Sequence, residues 1–152
     1  MKAILQRTTH SSVSIDGEIV GEIQQGFMVL LGIIEGDTKK EADTLATKLA
    51  GLRVFSDEQD RMNLSLQDIN GGILLVSNFT LGADCKKGRR PSFSKAARPE
   101  VAKPLYEYFI QQLHINGVEQ VETGEFGADM ELNITNDGPV TIILDTDELI
   151  VK

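Results

Sequence analysis

A run of four apolar residues, Ile73-Leu74-Leu75-Val76, ends in Ser77-Asn78-Phe79-Thr80 and passes into Lys86-Lys87-Gly88-Arg89-Arg90. An apolar strand that delivers small polar side chains and backbone amides to its end, then turns into a basic loop, is a common way to build a site for an anionic substrate. Taken singly, the first run is a core strand and the basic run a solvated loop. In a chain of net charge -8, however, four cations within five residues hold positive potential at one place against the overall balance.

The missing groups narrow the chemistry. His10 and His114 fall in different elements, and Cys85 is the only cysteine, so no metal-ligand spacing is present and no metal is expected. Neither histidine accompanies a Gly-x-Ser-x-Gly elbow, and both read as surface or structural residues. Without a P-loop or Gly-x-Gly-x-x-Gly there is no reason to expect a nucleotide cofactor. Hydroxyls, one side-chain amide, glycine-rich turns and backbone amides remain. They can hold an ester and stabilise an oxyanion, but they offer no strong base. An activated ester, such as an aminoacyl ester, suits them better than an amide or a phosphodiester.

The elements that must position these groups follow from periodicity. Met1 to Ile15 is rich in β-branched residues, and Asp16-Gly17 is a two-residue turn signal before Glu18-Ile19-Val20, which predicts a hairpin. Arg7 lies in its first strand and reads as solvent-facing. Phe27 to Ile33 reads as a strand buried on both faces. Thr38-x-x-Glu41 is a capping box, and Ala42, Leu45, Ala46, Leu49 and Leu52 repeat at helical spacing behind it. Val54-Phe55 starts a short strand. The acidic turn Ser56 to Asp60 lacks the alternating ligands and central glycine of a calcium loop, so it reads as a solvated turn.

Arg98-Pro99-Glu100 resembles a helix start, although Pro104 predicts that the regular helix begins there instead. Leu105, Phe109, Ile110 and Leu113 give it an apolar stripe, which Tyr106 and Tyr108 fit without any functional role, and Asn116-Gly117 closes it. Three strands are then expected, over 118 to 122, 130 to 135 and 140 to 144, with an unusual turn at Asn136-Asp137-Gly138-Pro139 between the last two. The expectation is one mixed α/β (α+β) domain over residues 1 to 145, with seven or eight strands, two main helices and a mobile tail over 146 to 152. With no signal peptide and no apolar run of membrane-spanning length, the chain is expected in the cytoplasm. Its pI of about 4.7 opposes non-specific binding to a duplex.

Four segments carry a resemblance: Ser77-Asn78-Phe79-Thr80-Leu81; Lys86-Lys87-Gly88-Arg89-Arg90-Pro91-Ser92-Phe93; Thr123-Gly124-Glu125-Phe126-Gly127-Ala128-Asp129-Met130; and Asn136-Asp137-Gly138-Pro139-Val140-Thr141. In this order they resemble the D-aminoacyl-tRNA deacylases, and the likeness runs from Met1 to about Leu144. The resemblance implies a barrel-like core and a cytoplasmic homodimer. It also implies hydrolysis of the ester between a D-amino acid, or mischarged glycine, and the terminal adenosine of transfer RNA. It further implies that the Gly138-Pro139 peptide is cis and reaches across the interface into the partner's Ser77 to Thr80 site. Arg7 would hold the Gly-Pro carbonyls, Phe126 and Met130 would line the adenine pocket, and Asn136 would join the substrate-binding set. Lys86, Lys87, Arg89 and Arg90 would meet transfer RNA phosphates.

One departure stands out: the family usually carries glutamine where this chain has Asn78, which keeps the amide but shortens its reach by a methylene. Two mechanisms stay open. Thr80 could attack the ester, although the sequence reveals no base to activate it. Alternatively, backbone amides near Phe79 and Thr80 could hold the oxyanion while water attacks, assisted by the ribose 2′-hydroxyl; this version is preferred. The rivals are a non-catalytic RNA-end-binding protein and a general esterase or peptidase.

Overall fold

The computed structural model describes residues 1 to 150. Strand β1 (Lys2–Ile15) turns at Asp16-Gly17, both at positive φ (51° and 83°), into β2 (Glu18–Ile23), and the chain continues as β3 (Gly26–Gly32). Strands β2 and β3 lie end to end along one edge of β1, pairing antiparallel from Ile15↔Glu18 to Lys2↔Gly32. Helix α1 (Lys39–Gly51) follows, started by the expected capping box, in which the Thr38 amide donates to Glu41 at 2.7 Å. A small hairpin, β4 (Phe55–Ser56) and β5 (Met62–Leu64), leads to β6 (Gly72–Ser77), which runs parallel to β3. Helix α2 (Pro99–Ile115) then crosses to β7 (Val121–Thr123), parallel to β6. Last come β8 (Glu131–Asp145), antiparallel to β1 along its other edge, and the short helix α3 (Thr146–Leu149).

Alternation in the central strands divides the interior. Ile73 and Leu75 point to the face covered by α1 and α2, where they meet Phe27, Leu45, Leu49 and Phe109. Leu74 and Val76 point to the opposite face, with Val13, Ile23 and Met28. The sheet curls until β7 approaches β2: a Cβ on Gly21 would stand 2.7 Å from the Thr123 carbonyl oxygen. The core is thus a nearly closed, barrel-like sheet of six strands, with β4 and β5 as a separate hairpin, so that eight strands in all are described in a mixed single domain, as expected. No helix among the described residues is long and apolar enough to cross a membrane.

A close backbone approach lies where β3 begins beside β6. A Cβ on Gly26 would fall 1.9 Å from the Gly72 carbonyl oxygen, and Gly26 has φ +156°. Neither backbone can yield without parting the two central strands. Gly26→Ala is therefore expected to lower stability by about 3 kcal/mol or more, within the range of severe single substitutions. Urea unfolding of the two proteins checks this, and an unchanged midpoint would contradict it.

Five expectations are corrected. The strands expected over 130 to 135 and 140 to 144 are one strand, β8, paired with β1 on both sides of the Gly-Pro turn. Between the pairs Gln6↔Thr141 and Thr8↔Asn136, β8 takes five steps to β1's two, so three extra residues are pushed out as a protruding bulge. The turn signal was real, but long-range pairing with β1 overrode a hairpin. Helix α2 begins at Pro99 and continues through Pro104. The amide missing at Pro104 would have faced the carbonyl of Glu100, an exposed residue in the first turn, where water can replace it. The strand expected over 118 to 122 is regular only over Val121–Thr123. Arg7, expected to face solvent, is 8% exposed.

The expected mobile tail is also built into the fold as far as it is described. The Thr146 amide donates to the Met1 carbonyl at 3.0 Å, its hydroxyl accepts from the Met1 amine at 2.8 Å, and Asp145 caps α3. Residues 151 and 152 lie outside the described residues.

Candidate active site

Strand β6 ends on Ser77, opposite Leu31 of β3, and the Asn78 amide keeps the chain on that strand by donating to the Leu31 carbonyl at 2.8 Å. Residues Phe79–Gly82 then form one 3-10 turn. It sits directly on Gly32, where a Cβ would be 2.6 Å from Leu81 Cβ and 3.2 Å from the Asn78 carbonyl oxygen. Asn78 caps this turn: its Oδ1 accepts from the Thr80 amide at 3.2 Å and also from the Thr80 hydroxyl. The Phe79 amide, first in the turn, is one of those that a helical start leaves without an internal partner.

Beside this turn opens a cavity of about 680 Å³. Ser77, Asn78 and Phe79 form one side, and Phe126, Met130 and Leu132 line another. Helix α2 braces both sides at once through Tyr106, a residue expected to have no role at the site. Its hydroxyl donates to the carbonyl of Leu75, the last residue of β6 that β7 pairs, at 3.3 Å, and its ring lies 5.7 Å from that of Phe126. Burial pushes the Tyr106 phenol up to about 12, so it stays a neutral donor at physiological pH. The sequence held a faint signal: of two tyrosines spaced i, i+2 on a helix, only one can face the core.

The cations sit on a loop pinned at its base. Asp84 and Ser92 exchange backbone hydrogen bonds of 2.8 Å each way. The Lys86 amide, donating to Asp84 at 3.0 Å, is the main cause that holds the Asp84 carboxyl below the ordinary carboxylate range, and Lys95 adds to it. Lys86, Lys87, Arg89 and Arg90 are all exposed.

The Gly-Pro bulge is a second construction, anchored by Arg7. Its Nε donates to the Asp137 carbonyl at 3.2 Å and its Nη1 to the Val54 carbonyl at 2.6 Å. The carbonyl held is thus that of Asp137, the residue before Gly138, rather than those of the Gly-Pro pair. Asn136 staples the two legs of the bulge, accepting from the Val140 amide at 3.0 Å and donating to Thr141 Oγ1 at 3.2 Å. Both ends of its amide are therefore used inside the turn. The Gly138-Pro139 peptide is cis, and both residues are exposed.

Within one chain, the cavity gathers Ser77, Asn78, Phe79, Phe126 and Met130, with Thr80 next in the turn. Arg7, Asn136, Gly138, Pro139 and the four cations are not part of its lining. His10 pairs with Glu22 at 2.6 Å on the exposed β1–β2 hairpin, and His114 Nδ1 meets the Val118 carbonyl at 2.9 Å. Among the described residues, no three His, Cys, Asp or Glu side chains converge as metal ligands would.

Residues 4 to 145 match the family model described as D-Tyr-tRNA(Tyr) deacylase. The chain is 55% identical over 149 residues to the D-aminoacyl-tRNA deacylase of Syntrophomonas wolfei, covering 98% of this chain and 99% of the relative. It is 54% identical over 148 residues to that of Thermus aquaticus, covering 97% of each. Among solved structures, it resembles that of a c-Myc DNA unwinding element binding protein, with a TM-score of 0.90 and 43% identity over 95% of this chain and 98% of the other. A probable eukaryotic D-amino acid tRNA deacylase shares the fold, with a TM-score of 0.80 at 19% identity over 94% of this chain and 97% of the other. With a match spanning nearly its whole length, strands, cavity and Gly-Pro bulge included, the chain belongs to the D-aminoacyl-tRNA deacylase family.

Proposed function

We propose that this protein hydrolyses the ester joining a D-amino acid, or mischarged glycine, to the terminal adenosine of transfer RNA, and leaves L-aminoacyl esters intact. The observation that carries this reading is the near-full-length relationship to deacylases at more than half identity, and the family match over residues 4 to 145 spans the stretch that lines the cavity. The geometry fits an ester: hydrogen-bond donors at the end of β6 face an apolar cavity large enough for an aminoacyl adenosine. Phe126 and Met130 take the adenine, and the exposed cations meet phosphates further along the strand. The chain works in the cytoplasm.

The hydrogen bonds at Asn78 favour chemistry without a protein nucleophile. The Thr80 hydroxyl donates its hydrogen bond to a side-chain amide oxygen, which is far too weak a base to activate it. Of the two amides expected to hold the oxyanion, that of Thr80 is occupied by Asn78 and that of Phe79 is left. With its Oδ1 engaged, Asn78 has its Nδ2 to offer as a second donor. Water adds to the ester carbonyl and passes a proton to the ribose 2′-oxygen while these donors hold the oxyanion; collapse breaks the bond to the 3′-oxygen, which takes the original proton of the 2′-hydroxyl, so the ribose leaves with both hydroxyls and the amino acid as its free acid. The shorter Asn78 side chain thereby keeps the amide's function by becoming part of the turn.

Accordingly, Thr80→Ala, which keeps every backbone amide, should retain deacylation within about tenfold, whereas Asn78→Ala should lose roughly a hundredfold, as when one oxyanion donor is removed. Single-turnover assays on D-tyrosyl transfer RNA compare them, and a trapped covalent ester on Thr80 would refute the mechanism.

The protein acts as a homodimer in which the Gly138-Pro139 bulge of each chain completes the other's site. In support, the bulge is exposed and apart from its own cavity lining, and β8 is an edge strand carrying exposed Ile134 and Ile143, the latter 69% exposed. A second reading of the same surface, as a non-catalytic nucleic-acid binder, comes from the 43% identical structure, which is named for binding a DNA unwinding element. The net charge of -8 weighs against it. Incubation with charged transfer RNA decides among the readings: a binder frees no amino acid, and a general esterase ignores chirality.

A further inference from the structure

Phe79 and Phe93 form an edge-to-face pair, with ring centres 5.2 Å apart and planes at 79°. Both border the cavity, yet they are 57% and 37% exposed, in a chain that buries its other large aromatics in the core or against helix α2. Their position in the chain is informative. Phe79 directly follows Asn78, and Phe93 directly follows Ser92, whose backbone bonds to Asp84 close the basic loop. The pair therefore borders the cavity and flanks in the chain the loop that carries Lys86, Lys87, Arg89 and Arg90. A strand whose last nucleoside fills the cavity leaves it past its rim, where these exposed rings offer a face to the next base.

We propose that the Phe79–Phe93 pair is the stacking site for the nucleobase preceding the terminal adenosine, a subsite that grips the single-stranded 3′ end by its π-face. This rests on the deacylase reading above. Stacking on an aromatic ring is open to any base, so the subsite adds affinity without adding sequence preference. The ligand's chemistry is set by the neighbours on each side: an apolar, donor-lined cavity for an esterified nucleoside, and cations for phosphate. A flat base between sugar and phosphate matches that order, and an aliphatic or peptide occupant does not.

The test compares three D-tyrosyl esters: of adenosine 5′-phosphate, of cytidylyl-adenosine, and of the same dinucleotide with an abasic residue in place of cytidine. In the unaltered protein, the cytidine-containing ester should exceed the abasic one in kcat/KM by about fivefold or more, the effect of one stacked base. In Phe93→Leu that ratio should fall to about one, and in Phe93→Trp it should be kept or raised, because any aromatic face serves. Equal rates for the abasic and cytidine esters in the unaltered protein, or an undiminished ratio in Phe93→Leu, would overturn the subsite while leaving the deacylase reading intact. Failure to hydrolyse any of the three would overturn both.

Discussion

Two inactive variants, mixed as dissociated chains and allowed to reassociate, should recover about a quarter of the unaltered activity, because half of the dimers are then mixed and each has one sound site of two. The first is Arg7→Ala. It removes the donor to the Asp137 carbonyl that pins the Gly138-Pro139 bulge, and leaves the cavity of its own chain intact. A turn misplaced by about 1 Å is expected to cost roughly a hundredfold in rate. The second is Ala128→Trp, whose indole fills the cavity while the bulge of that chain keeps its Arg7 anchor. In the mixed dimer, the open cavity of the Arg7→Ala chain meets the anchored turn of the Ala128→Trp chain. Arg7 also holds the Val54 carbonyl, so circular dichroism should first establish that Arg7→Ala is folded; Arg7→Lys, which keeps the charge but loses the fork, serves as a second arm. Absence of recovery from folded, mixed dimers would place each turn in its own chain's site. Sedimentation showing a fully active monomer would exclude the shared site altogether.

Local signals read well wherever both partners of an interaction were close in the chain. Asp16-Gly17 makes its hairpin turn, Thr38 and Glu41 make their capping box, and Asn116-Gly117 ends α2, because each depends on residues within a few positions. The apolar runs around Val29 and Leu75 were legible as buried strands, since burial on both faces leaves no alternation to misread. Distant partners were not legible. Nothing near Gly138 reveals that β1 pairs on both sides of it, and so one strand with a bulge was read as two strands with a turn.

Arg7 looked solvent-facing for the same reason: its partners, the carbonyls of Val54 and Asp137, lie 47 and 130 positions away. The site itself was legible mostly through resemblance, which carried the cis Gly138-Pro139 peptide and the Phe126–Met130 wall. Resemblance marked the departure at Asn78 but not its structural consequence. That its Oδ1 caps the Thr80 amide and hydroxyl emerged only with the turn in view.

D-tyrosyl transfer RNA should be hydrolysed at least about a thousandfold faster than L-tyrosyl transfer RNA, since a close steric clash or unpaired polar group against the wrong enantiomer costs several kcal/mol. In the proposed arrangement the selectivity follows from where the backbone lies. The bulge is stapled by Asn136 and anchored by Arg7, so a Gly138-Pro139 turn set against the substrate's α-carbon cannot yield. It leaves room for hydrogen on one side and for any side chain on the other. L-substrates are refused by collision, with no affinity required for the side chain of the D-form, so D-esters with different side chains should all react. Glycine presents nothing to collide and should react as well; correctly charged glycine must then be protected by another factor or by its transfer RNA. Single-turnover deacylation of D-tyrosyl, L-tyrosyl and glycyl transfer RNA, followed side by side, puts this backbone filter to the proof. D-tyrosine and glycine should be released while the L-tyrosyl ester decays at its spontaneous rate, and comparable turnover of the L and D forms would show that no such filter operates.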